Sequence, residues 1–106
     1  MKELTIDTND LSWEVAESYP RGAMQKVLDE GSESTPRIIL LKLEAGWMME
    51  AHSHIDTELH FVIEGEYQTH NDLFRAGTFR LIPRHTNHGP FSTSNGALLL
   101  VVWVKE

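Results

Sequence analysis

Short apolar segments separated by turn-forming residues fill most of this 106-residue chain. Glycine, proline, asparagine and aspartate stand between the segments, where turns require a positive φ, a fixed φ or a side chain that bonds its own backbone. This punctuation is typical of an all-β domain, and strands at this spacing predict a sandwich or barrel.

The pattern predicts nine strands: Gly22–Leu28, Arg37–Leu43, about His52–His54, Glu58–Ile63, Glu66–His70, Leu73–Arg75, Thr78–Ile82, His88–Phe91 and Ala97–Val104. Turns are predicted between them, including one at Gly65. Leu98–Val104 shows no polar alternation, which predicts a strand covered on both faces, most simply an internal one. The core is expected to include Phe61, Ile63, Leu81 and Ile82.

Composition restricts the class of protein and its partners. No repeat or linker divides the chain, so residues 1–106 are expected to form one domain. Nine basic and sixteen acidic residues give a net charge of -7, which disfavours nucleic acid and anionic membranes. The absence of cysteine excludes disulfides and thiolate ligands. The start has no apolar signal segment, and the longest apolar run, Ala97–Val104, is far below the roughly 20 residues that span a bilayer, so we expect a soluble, cytoplasmic protein.

Three metal-ligand side chains are spaced to meet at one place. His52 and His54 would project from the same face of a strand, roughly 7 Å apart. Ile55, Asp56 and Thr57 are suited to a tight reversal, after which Glu58 would begin the next strand beside the first. The carboxylate of Glu58 can then join the two imidazoles.

Other histidines are candidates for the same interior. His60 shares a face with Glu58 and Val62 in a regular strand, so it is predicted to line the pocket beyond ligand reach. It could act as a catalytic base or orient Glu58 or a ligand histidine. A fourth ligand has to come from elsewhere, and residues 77–92 offer His85 and His88. His70, beside Asn71-Asp72, is expected on the surface.

Two motifs in the chain resemble those of the cupin superfamily. Gly46, His52, His54, Glu58 and Gly65 match the pattern G-x5-H-x-H-x3-E-x6-G in full. The second pattern, G-x5-P-x-G-x2-H-x3-N, is met at Gly77, Pro83 and His88, whereas His85 replaces a glycine and Ser92 replaces the asparagine. The motifs occupy residues 46–65 and 77–92, about half of the chain.

The resemblance implies a single-domain cupin β-barrel of the jelly-roll type. By this resemblance, the family's metal-ligand positions correspond to His52, His54, Glu58 and His88. The departures at His85 and Ser92 affect the expected turn geometry and the contacts around the ligands. Chain length and the segment before the first motif are most similar to acetylacetone dioxygenases, dihydroxyacetophenone dioxygenases and the metal-binding domain of a cupin anti-sigma factor. Because cupins often pair through their sheets, a homodimer is expected.

Three imidazoles and one carboxylate suit several divalent transition metals. Fe(II) is favoured, and Mn, Ni, Co, Cu and Zn are alternatives. Four protein ligands at an octahedral ion leave two positions for a small, oxygen-chelating substrate. The leading hypothesis is a dioxygenase acting on an enolisable dicarbonyl or hydroxyketone, with His60 moving the proton. Arg80 and Arg84 are expected mainly at solvated positions, with an anionic substrate as the alternative.

Two other functions stay open. The anti-sigma-factor relatives imply a non-catalytic module that senses a metal or small ligand, although the sequence contains no motif of a sigma- or DNA-binding domain. A cupin isomerase or decarboxylase would act without consuming oxygen.

Overall fold

A computed structural model describes residues 2–105 of the chain. These residues form a short 3-10 helix, Thr8–Asp10, and nine strands. The strands are β1 (Glu14–Val15), β2 (Ala23–Asp29), β3 (Arg37–Leu43), β4 (Met48–Met49), β5 (Thr57–Gln68), β6 (Leu73–Arg75), β7 (Phe79–Ile82), β8 (Phe91–Ser92) and β9 (Ala97–Val104). No helix within residues 2–105 has the length and apolar character needed to cross a bilayer.

The strands form a curled antiparallel sheet in the order β1-β2-β3-β9-β5-β8-β4, and β6 and β7 also pair with β5. The long strand β5 belongs to both walls of the barrel. Its first part pairs with β9 and β7, and its last residues pair with β6 and β8. This architecture confirms the predicted all-β, jelly-roll cupin barrel.

Gly65 bends β5 and does not end it. The prediction of a turn there, between two separate strands, is wrong because β5 continues through Gly65 with a register shift between Val62 and Glu64. Gly65 has a φ of +71°, and a Cβ at this position would lie 2.2 Å from the carbonyl oxygen of Gly96. Only glycine permits this close approach to the turn that precedes β9.

The core lies on the inner face of the sheet. Inward side chains of β3 and β9 are buried: Ile39, Leu41, Leu43, Ala97, Leu99 and Val101. The alternate residues of β9, including Leu98 and Leu100, are half-buried on the outer face. Because β9 lies between β3 and β5, it is an internal strand of the sheet, as predicted, but only its inner face is buried and the predicted cover on both faces is not seen.

Part of the predicted core is exposed on the outer face. Ile82 is buried, but Phe61, Ile63 and Leu81 are exposed, so their assignment to the core was wrong. The physical reason is strand alternation: Phe61 and Ile63 project opposite to the inward residues His60 and Val62.

Candidate metal centre

A pair of backbone hydrogen bonds brings the two histidine-containing motifs together. The His52 N–H donates to the His88 carbonyl at 2.9 Å, and the His88 N–H donates to the His52 carbonyl at 2.8 Å. This is an isolated bridge, so the regular strands predicted at His52–His54 and from His88 are not formed. Residues separated by 36 positions in the sequence become direct neighbours in this way.

Three imidazoles gather at this bridge. The ring centroids of His52 lie 4.5 Å from His54 and 4.4 Å from His88, and those of His54 and His88 are 5.2 Å apart. One nitrogen atom from each ring can be chosen so that all three lie within 4.8 Å of one another. The three histidines could therefore hold a metal ion.

Glu58 presents one carboxylate oxygen to the same place. Glu58 lies at the start of β5, and its side chain is 3% exposed. The Glu58 Oε2 atom lies 2.8 Å from His54 Nε2, near the separation of about 3 Å expected for adjacent ligands of one ion with bonds of about 2.1 Å. Neither atom has a hydrogen-bond partner of acceptable geometry, and both are buried.

The remaining buried polar atoms also fit a cation. Both ring nitrogens of His88 are buried without a hydrogen-bond partner. Buried polar groups without partners are costly, and a coordinated ion would satisfy one ring nitrogen of His88, together with His54 Nε2 and Glu58 Oε2. Imidazole nitrogen and carboxylate oxygen are ligands that divalent transition metals accept, so the donor set fits the predicted cofactor.

A backbone contact selects the ligand nitrogen of His52. Its Nδ1 atom lies 3.0 Å from the Glu50 carbonyl oxygen, which can only accept a hydrogen bond. Nδ1 therefore carries the ring proton in this contact, and Nε2 keeps its lone pair for an ion.

Burial keeps the histidines in the form that binds metal. Desolvation lowers the pKa of His88 to about 4, and the neighbouring His52 adds to this effect. Desolvation also lowers the pKa of His54, against the opposing influence of Glu58. Burial alone would raise the pKa of Glu58, but the hydrogen bond from His60 and the surrounding imidazoles lower it overall. At neutral pH the site has neutral imidazoles at His54 and His88 and an ionised carboxylate.

A buried hydrogen-bond chain leads away from Glu58. His60 Nε2 lies 2.6 Å from Glu58 Oε1, and His60 Nδ1 lies 2.7 Å from the Tyr67 hydroxyl. Arg80 Nη1 donates to the same hydroxyl at 3.0 Å. Arg80 is half-buried, with its guanidinium carbon 4.0 Å from the Phe74 ring centroid, so the solvated position expected for it was wrong.

Tyr67 is a site residue that sequence reasoning missed, as is Tyr19, which lines a cavity beside the histidines. Simple alternation from Glu58, His60 and Val62 would place the odd-numbered Tyr67 on the outer face. The irregularity between Val62 and Glu64 changes the face, and Tyr67 is buried. The available signal was Gly65 within an otherwise continuous strand pattern, which can mark a bulge.

The other two histidines lie outside the cluster. His85 is an exposed turn residue with a φ of 61°, and its N–H donates to the His54 carbonyl at 2.7 Å. The left-handed conformation explains why the family motif has glycine at this position. His70 is exposed at the β5–β6 turn, as predicted.

A cavity of about 730 Å³ opens beside the histidines. His52 and His54 line one part of it, and Arg37 and Trp103 line another. Tyr19 contacts both this cavity and a space of about 20 Å³ beside Glu58 and His88. Burial strongly raises the pKa of the Tyr19 phenol, so it stays protonated at neutral pH and can donate a hydrogen bond.

The fold and the histidine cluster define a cupin with a candidate metal site. The sequence model of the ChrR cupin-like domain matches residues 1–105, and the chain belongs to this family. No curated protein matches the sequence.

Solved structures support the fold. One is the complex of Rhodobacter sphaeroides SigE with the anti-sigma ChrR, with a TM-score of 0.73 and 23% identity over 92% of this chain and 52% of the matched chain. The chain thus spans about half of that protein. A putative acetylacetone dioxygenase from Methylibium petroleiphilum has a TM-score of 0.84 and 15% identity, and the match covers 97% of this chain and 77% of the other. An acetylacetone dioxygenase from Acinetobacter johnsonii has a TM-score of 0.76 and 14% identity, and the match covers 98% of this chain and 74% of the other.

Proposed function

We propose that the protein is a metal-dependent dioxygenase acting on a small enolisable dicarbonyl or hydroxyketone. One observation carries the proposal: the three clustered histidines lie beside a cavity of about 730 Å³, which His52 and His54 line and which falls within the roughly 300 to 1,000 Å³ range of small-molecule sites. His52, His54, Glu58 and His88 would hold the ion. Fe(II) is the favoured ion, and Mn, Ni, Co and Cu are alternatives. Dioxygen chemistry requires a redox-active metal, which excludes Zn from this version.

The charge of the metal-loaded site would favour an anionic substrate, although the chain as a whole is acidic. One carboxylate against a divalent ion leaves a net charge of about +1 at the site, which favours an enolate or carboxylate. When bound, the ion would supply Lewis-acid activation of the substrate oxygens and the redox chemistry of dioxygen. Tyr19, protonated at the cavity wall, can donate a hydrogen bond to a substrate oxygen.

His60 has a narrower role than the sequence alone suggested. Both of its ring nitrogens are hydrogen-bonded, to Glu58 and to Tyr67, and its side chain is buried. A free base facing the substrate would need an unoccupied nitrogen. We therefore propose that His60 orients the Glu58 carboxylate and does not transfer a substrate proton.

The ligand assignment is tested by metal content. Metal-free protein is loaded anaerobically with Fe(II), desalted and measured by elemental analysis. His54→Ala and Glu58→Ala are expected to retain much less metal than the wild type. His70→Ala is the matched control, because it removes a histidine outside the cluster, and should retain the wild-type amount. Full metal content in both site variants would contradict the assignment.

The activity is tested with the same Fe(II)-loaded protein. Air-saturated buffer and a panel of β-diketones and 2-hydroxyketones are added, and oxygen uptake is recorded with an electrode. At least one substrate should consume oxygen with incorporation of both oxygen atoms into products, and Zn(II)-loaded protein should not. No uptake with any member would remove the dioxygenase proposal, and substrate loss without oxygen would indicate an isomerase or decarboxylase.

A sensing module is the second candidate function, and the ChrR cupin-like family match favours it. In this case the site would bind a metal or a small chelating ligand without turnover. Co(II)-loaded protein would change its visible absorption on titration with a diketone, while the Fe(II)-loaded protein would consume no oxygen. This combination separates the module from the enzyme.

We also propose a homodimer formed through the outer apolar face, defined as Leu59, Phe61, Phe79, Leu81, Leu100 and Val102. These residues are paired across β5, β7 and β9, and Phe79 and Leu81 are 60% and 58% exposed. A charge-free face lets two copies of an acidic chain associate without repulsion. Phe79→Lys should yield a monomer in light-scattering chromatography, whereas Leu73→Lys, on β6, should not. A monomeric wild type at micromolar concentration would refute the dimer.

A further inference from the structure

We propose that Tyr67 and Arg80 are positioning residues for the metal centre, acting through His60 to hold Glu58 as a ligand with one free oxygen. This inference rests on the proposed ligand role of Glu58. It assigns a function to two residues that are not among the candidate ligands and do not occupy a fixed position of either cupin motif.

The direction of every hydrogen bond in the chain follows from its two ends. Ionised Glu58 can only accept, so His60 Nε2 carries a proton and donates it to Oε1. Arg80 can only donate, so the Tyr67 oxygen accepts from it. The Tyr67 hydroxyl then has its own proton to give, and the Nδ1 lone pair of neutral His60 accepts it.

This arrangement gives each of the three hydrogen bonds one donor and one acceptor, and it selects a single tautomer of His60. An imidazolium at His60 would donate to both neighbours and leave the Tyr67 proton without an acceptor. In the neutral arrangement, Oε1 of Glu58 is occupied by His60, and only Oε2 is directed toward the histidines. The hydrogen-bond chain therefore favours binding of the metal through one oxygen of the Glu58 carboxylate, and it restricts rotation of that carboxylate.

Packing fixes the outer end of the chain. The Tyr67 ring lies 5.1 Å from Phe74 and 5.5 Å from Phe91, centroid to centroid. The Arg80 guanidinium stacks over Phe74 at 4.0 Å and is half-buried. In the pairing of β7 with β5, Arg80 lies opposite His60. The backbone register therefore places the Arg80 and His60 side chains on the same face of the sheet.

The tautomer is tested without any metal. Long-range proton–nitrogen NMR of the metal-free protein at pH 7 distinguishes protonated from unprotonated ring nitrogens, and His60→Gln identifies the His60 signals. We expect a proton on Nε2 and none on Nδ1. A proton on Nδ1, or on both nitrogens, would overturn the proposal.

The positioning role is tested by Co(II) affinity, measured by competition with a chelator. Tyr67→Phe keeps the ring and removes the hydroxyl, and it should weaken Co(II) binding about tenfold and shift the visible spectrum. Arg80→Met should weaken binding by a smaller factor in the wild type and have no further effect in Tyr67→Phe, because it acts through that hydroxyl. Arg75→Met, which removes an exposed arginine of β6 outside the hydrogen-bond chain, should leave both the Co(II) affinity and its spectrum close to wild type.

The outcomes separate this inference from the ligand proposal. If Glu58→Ala leaves Co(II) affinity unchanged, Glu58 is not a ligand and the proposed site fails. If Glu58→Ala weakens binding but Tyr67→Phe does not, only the positioning role is refuted. Equal effects of Arg80→Met in both backgrounds would also refute it.

Discussion

The stability of the metal-free protein should fall as the pH drops from 7 to 5, and His88 should cause much of the loss. Its pKa is lowered to about 4 in the folded protein by burial and by His52, compared with about 6.5 for an unfolded histidine. Between these two values the unfolded chain binds more protons than the folded chain. The stabilising contribution is therefore complete above pH 6.5 and is lost as the pH falls toward 4.

The magnitude follows from the two pKa values. Between pH 7 and pH 5 the unfolded histidine gains most of one proton, and folded His88 gains about a tenth of one. Integration gives a loss of about 2 kcal/mol from His88 alone. His54, whose pKa is also lowered by burial, adds a loss of the same sign. This is a substantial part of the roughly 5 to 15 kcal/mol expected for a domain.

Urea unfolding of chelator-treated protein at pH 7, 6 and 5 measures the effect. His88→Gln should reduce the pH dependence by about 2 kcal/mol over this range, because glutamine does not titrate. Asn87→Ala is the matched control: it alters the neighbouring exposed residue and should keep the wild-type dependence. The reasoning is refuted if the wild-type free energy of unfolding is the same at pH 7 and pH 5, or if His88→Gln keeps the full slope.

Three further predictions concern stability. Gly65→Ala should lower the free energy of unfolding, measured in urea, by about 3 to 5 kcal/mol, because the added Cβ meets the Gly96 carbonyl. Gly77 has a φ of +94° but open space around it, so Gly77→Ala should cost only about 1 to 2 kcal/mol of backbone strain. Equal costs would contradict the close approach of Gly65 to Gly96. Val101→Ala removes a fully buried side chain and should cost about 2 kcal/mol with the barrel retained, as checked by circular dichroism. Co(II) added at 100 times its dissociation constant should stabilise the wild type by about 2.7 kcal/mol in thermal unfolding, and it should stabilise His54→Ala much less. Equal stabilisation of the two proteins would contradict metal binding at this cluster.

The relation between local pattern and fold explains which strands could be predicted. Arg37–Leu43, Leu73–Arg75 and Ala97–Val104 were predicted with the bounds of β3, β6 and β9. Their periodicity and flanking turn residues act over a few positions, so local chemistry is sufficient. The segments around His52 and His88 were predicted as strands but form only an isolated bridge, because the pairing there lasts for one residue pair.

The positions of Phe61, Ile63 and Leu81 required the tertiary structure. An apolar residue in a strand is compatible with either face, and only the arrangement of β5, β7 and β9 places these side chains outward. Sequence alone therefore overestimated the core and missed the outer apolar face.

By itself, the sequence predicted an all-β sandwich or barrel, because turn residues and strand periodicity are local properties. The spacing of the cupin-like motifs then implied a barrel with His52, His54, Glu58 and His88 as candidate ligands. Tertiary structure decided the rest: the bend at Gly65 that turns Tyr67 inward, and the pairing of β5 with β7 that sets Arg80 opposite His60. These contacts depend on long-range register, and a shift of one residue in a strand reverses the face of every side chain.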